Sequence, residues 1–370
     1  MIESHSDTAA KTYRLGVLGL GEGRSILSGA TASERWDIAW ACDLDEALCE
    51  QRKAEFDLPR VTTSYEEMLA DPDLDAVAIY TPDMMHADHI LMAIAAGKHV
   101  ICTKPLVNDL RRGRELLDAV RASGLRLLVG QSCRFFDTLM RQREAYEAGV
   151  HGELIAVEAH YHGDKRQGTS GRWGKRGAVN WLYTGLSHPV DLATWYLGPI
   201  ERVSAVGTQS PASIASGQQN PDVLYATLHA QSGAVGTVAG CYGAPGAHRE
   251  AEPFVGCVLR GSTGTTHSTY PDFSYFENID GRPSTKISTP ENHNYYFRWG
   301  GASHHAGEFQ NYLEHLSDCL DQGKAPSPGI EEGLRVIAVL DAVATSIREQ
   351  RVIRVDEHLA AYDLAELTSA

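Results

Sequence analysis

The chain is poor in the features that mark secreted, membrane-spanning and nucleic-acid-binding proteins. Its seven cysteines (Cys42, Cys49, Cys102, Cys133, Cys241, Cys257 and Cys319) are odd in number, scattered and never in Cys-x-x-Cys spacing. That excludes a disulfide framework and a zinc ribbon, and reads them as small core residues in a reducing compartment. Apolar runs are short: 90–96 and 336–340 fall far below the roughly 20 residues that span a bilayer. Basic residues are scarce, 33 against 48 acidic ones for a net charge of −15, so phosphate backbones and anionic membrane surfaces are repelled. Residues 1–12 are polar, with Glu3 and Asp7, and lack the apolar stretch of a secretory signal. They read as a loose tail on a cytoplasmic protein with neither a nucleic-acid nor a membrane partner. No internal repeat is visible.

What the chain does have is size and pattern. With 370 residues, 43% of them hydrophobic, it can fill two cores. From 13 to 133 short apolar runs at 13–18, 38–42, 76–80, 99–102 and 127–129 alternate with helical spacing, the signature of a parallel sheet covered on both faces. Ser64-Tyr65-Glu66-Glu67 has capping-box spacing for one of those helices. Beyond Phe135 the runs 154–161, 223–230, 235–241 and 254–259 follow without full-length helices between them, as in an antiparallel or mixed sheet. Stretches 210–220 and 261–294 are rich in Ser, Thr, Pro, Gly and Asn and read as long loops. Helical patterns at 305–321 and 331–349 close the chain.

The first strand runs into Gly19-Leu20-Gly21-Glu22-Gly23-Arg24. Glycines at such a turn let backbone N–H groups approach a pyrophosphate. The third glycine of G-x-G-x-x-G is replaced by Arg24, with Gly23 one residue earlier to relieve crowding. Asp43 ends the second strand, where a carboxylate accepts hydrogen bonds from ribose hydroxyls and repels a 2′-phosphate. NAD is therefore expected rather than NADP. Arg52 and Lys53 read as a solvated helix face.

Two further motifs, Tyr80-Thr81-Pro82-Asp83 followed by His86, and Ala96-Gly97-Lys98-His99-Val100-Ile101-Cys102-Thr103-Lys104-Pro105, resemble the glucose-fructose oxidoreductase, inositol dehydrogenase and rhizopine-catabolism (Gfo/Idh/MocA) family. The resemblance continues through Gly149-x-x-Gly152-Glu153-Leu154, Gly323-Lys324-x-Pro326 and Glu331-Glu332-Gly333-Leu334-Arg335. It implies an α/β fold, with an N-terminal Rossmann domain (13–133) joined to an α+β domain (134–370) built on a large, open, mostly antiparallel sheet. The second domain is expected to hold substrate and to form a homodimer or homotetramer.

The resemblance also implies a site. Gly19, Gly21, Glu22, Gly23, Arg24, Asp43, Thr81, Pro82, His86 and Lys104 are the expected cofactor contacts. Lys104 keeps its place although Thr103 stands where the family carries glutamate. In Tyr183-Thr184-Gly185-Leu186-Ser187-His188-Pro189-Val190-Asp191, His188 and Asp191 match an Asp-x-x-x-His-x-x-Asp pattern, and Thr184 replaces the first aspartate. At i,i+4 spacing Thr184 shares a helix face with His188. Lys104 and His188 are the expected proton-transfer pair, with Thr184 orienting substrate or water. Arg134 either contacts substrate or locks the domain interface. Tyr161, His162, Trp173, Trp181, Tyr183 and His305 are candidate substrate contacts. Histidines at 160, 162, 304, 305 and 315 with Glu308 give no complete ligand set, and no metal is expected.

The activity implied is NAD-dependent oxidation of a secondary hydroxyl of a sugar, inositol-like polyol or glycoside. Two alternatives stay open. One keeps NAD tightly bound through a transient oxidation, as in an oxidoreductase or NAD-dependent glycosidase, and the other is a non-catalytic sugar- or NAD-sensing regulator.

Overall fold

The apolar run Tyr13–Leu18 (β1) becomes the middle of a six-stranded sheet because helices cover both of its faces. The structure, a computed structural model, describes residues 11–166, 180–246, 254–298 and 305–369. The other strands of the first sheet are β2 (Trp36–Cys42), β3 (Val61–Thr62), β4 (Ala76–Ile79), β5 (His99–Thr103) and β6 (Leu127–Gly130). They lie in the order β3-β2-β1-β4-β5-β6, all parallel. All four residues of β4 are fully buried, as a central strand with two covered faces requires. The strand order reverses between β1 and β4, and dinucleotides bind beyond the carboxyl ends of the strands at such a point. The capping spacing at Ser64 forms a cap: its hydroxyl accepts from the Glu67 N–H at 3.2 Å.

The second sheet has nine strands: β7 (Leu154–His162), β8 (Ile200–Thr208), β9 (Val223–Ala230), β10 (Val235–Cys241), β11 (Val255–Gly261), β12 (Gly264–Tyr270), β13 (Ser274–Ile279), β14 (Thr285–Ser288) and β15 (Ile353–Arg354). Their order is β14-β13-β12-β11-β7-β10-β9-β8-β15, and only β7 and β10 pair in parallel. The helices Ser187–Leu197 and Ile330–Glu349 lie on one face. Leu192, Leu197, Val339 and Val343 pack there against Val157, Val203, Leu228 and Leu259.

Two loop expectations are corrected. The stretch 261–294, read as a loop, carries β12, β13 and β14. Its inward Thr266 and Ser268 are buried yet satisfied, Thr266 by Gln142 Nε2 at 3.1 Å and Ser268 by donating to the Thr138 carbonyl at 2.7 Å. The stretch 210–220 contains the short helix Pro211–Ala215, capped by Ser210, whose hydroxyl accepts from the Ser213 N–H.

The helix Gly307–Asp321 lies within the span assigned to the second domain, yet it packs on the first sheet. Phe309, Tyr312, Leu313 and Leu316 join Ile26, Leu27, Trp36 and Tyr80 in one core. Trp36 Nε1 donates to the Leu313 carbonyl at 2.9 Å, and the Tyr80 and Tyr312 hydroxyls are hydrogen-bonded to each other. Farther on, the Pro328 carbonyl accepts from the Val129 N–H at 2.8 Å, which covers the outer edge of β6. No helix among the described residues is long and apolar enough to cross a membrane.

Candidate active site

The glycine turn after β1 is built for close approach. Gly19 takes φ +87°, and a Cβ there would lie 2.6 Å from the Tyr80 carbonyl, so the turn presses against the end of β4. A Cβ on Gly23 would lie 2.2 Å from the Gly19 carbonyl. Gly23 therefore supplies the close contact, and Arg24 pairs with Glu55, Nε to Oε1 at 2.7 Å. Arg52 is not the solvated residue its spacing suggested. Buried beneath the turn, its Nε donates to the Leu20 carbonyl at 3.1 Å and its Nη1 pairs with Glu55 at 2.7 Å.

Asp43 closes the turn from the other side. Its Oδ2 accepts from the Leu20 N–H at 2.7 Å and its Oδ1 from the Asp45 N–H at 3.0 Å. The half-buried carboxylate keeps lone pairs free for further donors. Gly21 and Glu22 are exposed, and nothing lies within 4 Å of a Cβ position on Gly21. The turn, Asp43 and the switch point thus fit the pyrophosphate and ribose of a dinucleotide.

Thr81 and Pro82 follow β4 at the same end of the sheet, and Thr81 Oγ1 lies 2.9 Å from His89 Nδ1. His86 is a correction. Its ring is buried, with Nε2 at 2.8 Å from the Thr81 carbonyl and Nδ1 at 2.9 Å from the Pro105 carbonyl. It ties the loop after β4 to the loop after β5, and so shapes the cofactor site without facing it.

Lys104 leaves the end of β5 and donates through Nζ to the Thr184 carbonyl at 2.6 Å. Burial brings its ammonium down to about 8, against the opposing pull of Glu22 in the glycine turn. Thr184 therefore serves through its main chain, and the shared helix face is not formed. Trp181–Thr184 is a separate helical turn, divided from Ser187–Leu197 by Gly185 and Leu186. His188, in the first turn of the longer helix, is only 9% exposed. Burial, with help from Lys104, His305 and Lys165, holds its imidazole well below the usual value, so it is neutral. The Tyr161 ring stands edge-on to it at 5.1 Å.

Two residues of this cluster were not anticipated. Cys133 Sγ lies 3.2 Å from His188 Nδ1. Glu308, fully buried, sets its carboxyl oxygen against His305 Nδ1. The first is a contact across 55 residues of chain. The second has a signal in the run His304-His305-Ala306-Gly307-Glu308, where the sequence offers Glu308 as a metal candidate and His305 also as a substrate contact.

Arg134 decides between its two readings. Its guanidinium is 3% exposed and forms a double hydrogen bond with Asp191 at 2.7 and 2.8 Å, while Nη1 pairs with Glu332 at 2.7 Å. It clamps the domain junction, with Asp191, Glu332 and Ser327 taking four of its five N–H donors. Tyr183 is corrected likewise, because its hydroxyl is committed to Asp341 of the helix Ile330–Glu349. Trp181 is a core residue stacked on Tyr242 at 4.8 Å. Strand alternation sends Tyr161 to the helix-covered face of the second sheet, so His160 and His162, whose rings stack at 4.8 Å, lie on the other face. Trp173 and His304 lie outside the described residues.

A glycine turn, an acid at the end of β2 and a reversal of strand order, joined to an α/β domain that brings a histidine towards the lysine, define the class of dinucleotide-binding two-domain folds. Residues 13–131 match the oxidoreductase family with an NAD-binding Rossmann fold, and residues 143–355 match the C-terminal alpha/beta domain of the same family. The chain belongs to the Gfo/Idh/MocA oxidoreductase family. Among curated relatives, mouse trans-1,2-dihydrobenzene-1,2-diol dehydrogenase is 32% identical over 138 residues, 37% of this chain and 41% of the relative. The 1,5-anhydro-D-fructose reductase of Ensifer adhaerens is 32% identical over 152 residues, 41% and 42% of the two chains. The chain thus matches less than half the length of these relatives. Levoglucosan dehydrogenase in complex with NADH and levoglucosan shares the fold at a TM-score of 0.80 and 20% identity, covering 93% of this chain and all 100% of the other.

Proposed function

We propose that the protein is an NAD-dependent dehydrogenase that oxidises a secondary hydroxyl of a sugar, cyclic polyol or glycoside. The observation that carries this reading is Lys104, held by the Thr184 carbonyl beside a neutral His188 at the cofactor end of the first sheet. Backbone N–H groups of the glycine turn would hold the pyrophosphate and Asp43 the ribose, where its charge disfavours a 2′-phosphate. The nicotinamide, when bound, supplies the acceptor for the carbinol hydride. In its neutral form Lys104 takes the hydroxyl proton: the substrate O–H bond breaks, an N–H bond forms on Nζ, and the remaining lysine N–H groups still serve the Thr184 carbonyl. His188 and Tyr161 shape the substrate side. Relatives named for levoglucosan and for 1,5-anhydro-D-fructose support a carbohydrate, and the one named for a dihydrobenzene diol supports a ring bearing neighbouring hydroxyls.

The test is NADH formation by the purified protein across sugars, inositols, glycosides and cyclic diols, with Lys104→Met as control. One class of hydroxyl compound should reduce NAD, and the variant should bind NAD without turnover. Failure of every compound with NAD, or wild-type turnover by the variant, removes the proposal.

The same reading includes assembly into a homodimer or homotetramer. The face of the second sheet opposite its helices exposes Val206, Tyr225, Val235 and Phe276. Val206 pairs with Tyr225 across β8 and β9, so two of these residues are side by side. Light scattering should show a dimer or tetramer that Val206→Glu/Tyr225→Glu dissociates; a monomeric wild type refutes it.

A further inference from the structure

We infer that the Cys133 thiol fixes the tautomer of His188, with Nδ1 accepting and the proton on Nε2, so that His188 is the hydrogen-bond donor of the site and Lys104 its proton acceptor. The inference rests on the dehydrogenase reading and divides the labour within the pair on which that reading depends. The geometry is over-determined. Cys133 is the residue before Arg134, and His188 sits one helical turn before Asp191. The buried Arg134–Asp191 double hydrogen bond therefore holds Cys133 Sγ at 3.2 Å from His188 Nδ1 from both sides.

The direction of the contact follows from the chemistry of its atoms. An imidazole lone pair is a good acceptor and a thiol sulfur a poor one, so S–H donates to Nδ1. Charge transfer between them is opposed on both sides. Burial pushes the Cys133 thiol up to about 12, reinforced by Asp191 and Cys257 and only partly offset by Lys104. His188 faces Lys104, His305 and Lys165, whose positive or potentially positive charges disfavour an imidazolium. The ring is thus neutral, with one proton. Nε2, which has no hydrogen-bond partner among the described residues, carries that proton and keeps it for a third molecule. A base needs a lone pair where His188 offers N–H, and Lys104 is the neighbouring group that supplies one.

The experiment combines nitrogen NMR with two variants of the full-length enzyme. In protein labelled with 15N-histidine, the signals of His188, assigned by comparison with His188→Gln, should show an unprotonated Nδ1 and a protonated Nε2. Cys133→Ala, which releases the tautomer, should lower kcat/KM roughly three- to tenfold, the value of one neutral hydrogen bond. It should also change the pH profile, because His188 then populates the form that accepts protons. Cys133→Ser should restore most of the loss and the wild-type profile. A protonated Nδ1 in an active wild type overturns the inference and leaves the dehydrogenase reading standing. Equal impairment of both variants with equally lowered melting temperatures overturns it as well, since packing alone would then account for the loss. The expected tautomer in a protein that oxidises no hydroxyl compound removes the dehydrogenase reading, and with it the donor role.

Discussion

Cys133 and Arg134 are neighbours in sequence, His188 and Asp191 lie one turn apart on a helix, and the two pairs these residues make could hardly differ more. Arg134 and Asp191 satisfy each other twice, and Glu332 takes a further guanidinium nitrogen. Cys133 and His188 share one weak hydrogen bond, beside a lysine whose ammonium burial disfavours. The first pair spends its polar atoms on each other, and the second keeps a ring nitrogen in reserve. Within one junction the chain separates groups that hold the domains from groups that can act on a third molecule.

The contrast is testable in order of expected effect. Lys104→Met should lower kcat/KM by about 10²–10⁴, the range of one general base, while urea unfolding is unchanged or slightly stabilised because a buried ammonium has gone. A large loss of stability would break the division of labour. Arg134→Ala should do the reverse, costing about 3–5 kcal/mol in unfolding because the buried Asp191 and the half-buried Glu332 lose their partner; a cost below about 1 kcal/mol would show that the clamp is ornamental. The pH profile sharpens the comparison. A base that must be neutral is more available as pH rises, so kcat/KM for oxidation should climb about tenfold per unit and level off above the Lys104 value of about 8. A flat profile from pH 6 to 9 would assign the proton elsewhere. Ser64→Ala, at a helix cap remote from the junction, should cost about 1 kcal/mol and leave kinetics untouched.

The division between the pairs was only partly legible in the sequence. The parallel sheet was readable because its strands are continuous apolar runs punctuated by turns, and glycine turn, Asp43 and Lys104 stand at the ends of such runs. The strands β12 to β14 were not readable. In β12 the inward positions are Thr266, Ser268 and Tyr270, and the first two are satisfied by hydrogen bonds with residues more than a hundred positions away, Thr266 accepting from Gln142 and Ser268 donating to Thr138. At Thr184 the sequence points to the side chain, whereas the structure uses the carbonyl, which every residue possesses and no motif records. The partners of Arg134 at positions 191 and 332, and the meeting of Cys133 with His188, arise only when distant elements pack. Local patterns carry secondary structure and turn chemistry, but long-range satisfaction of polar atoms leaves no periodic trace.

The helix Gly307–Asp321 has a consequence for how the chain reaches this state. The first sheet lacks one wall until that helix has been made: Ile26, Leu27, Trp36 and Tyr80 share their core with Phe309, Tyr312, Leu313 and Leu316. At roughly 5–20 residues per second, a ribosome therefore exposes an unfinished apolar face for many seconds while eight of the nine strands of the second sheet are synthesised. The order of domains along the gene is not the order in which they can be completed. A fragment ending at the apparent boundary would carry every glycine and acid of the cofactor turn and still present a raw hydrophobic surface to the cell.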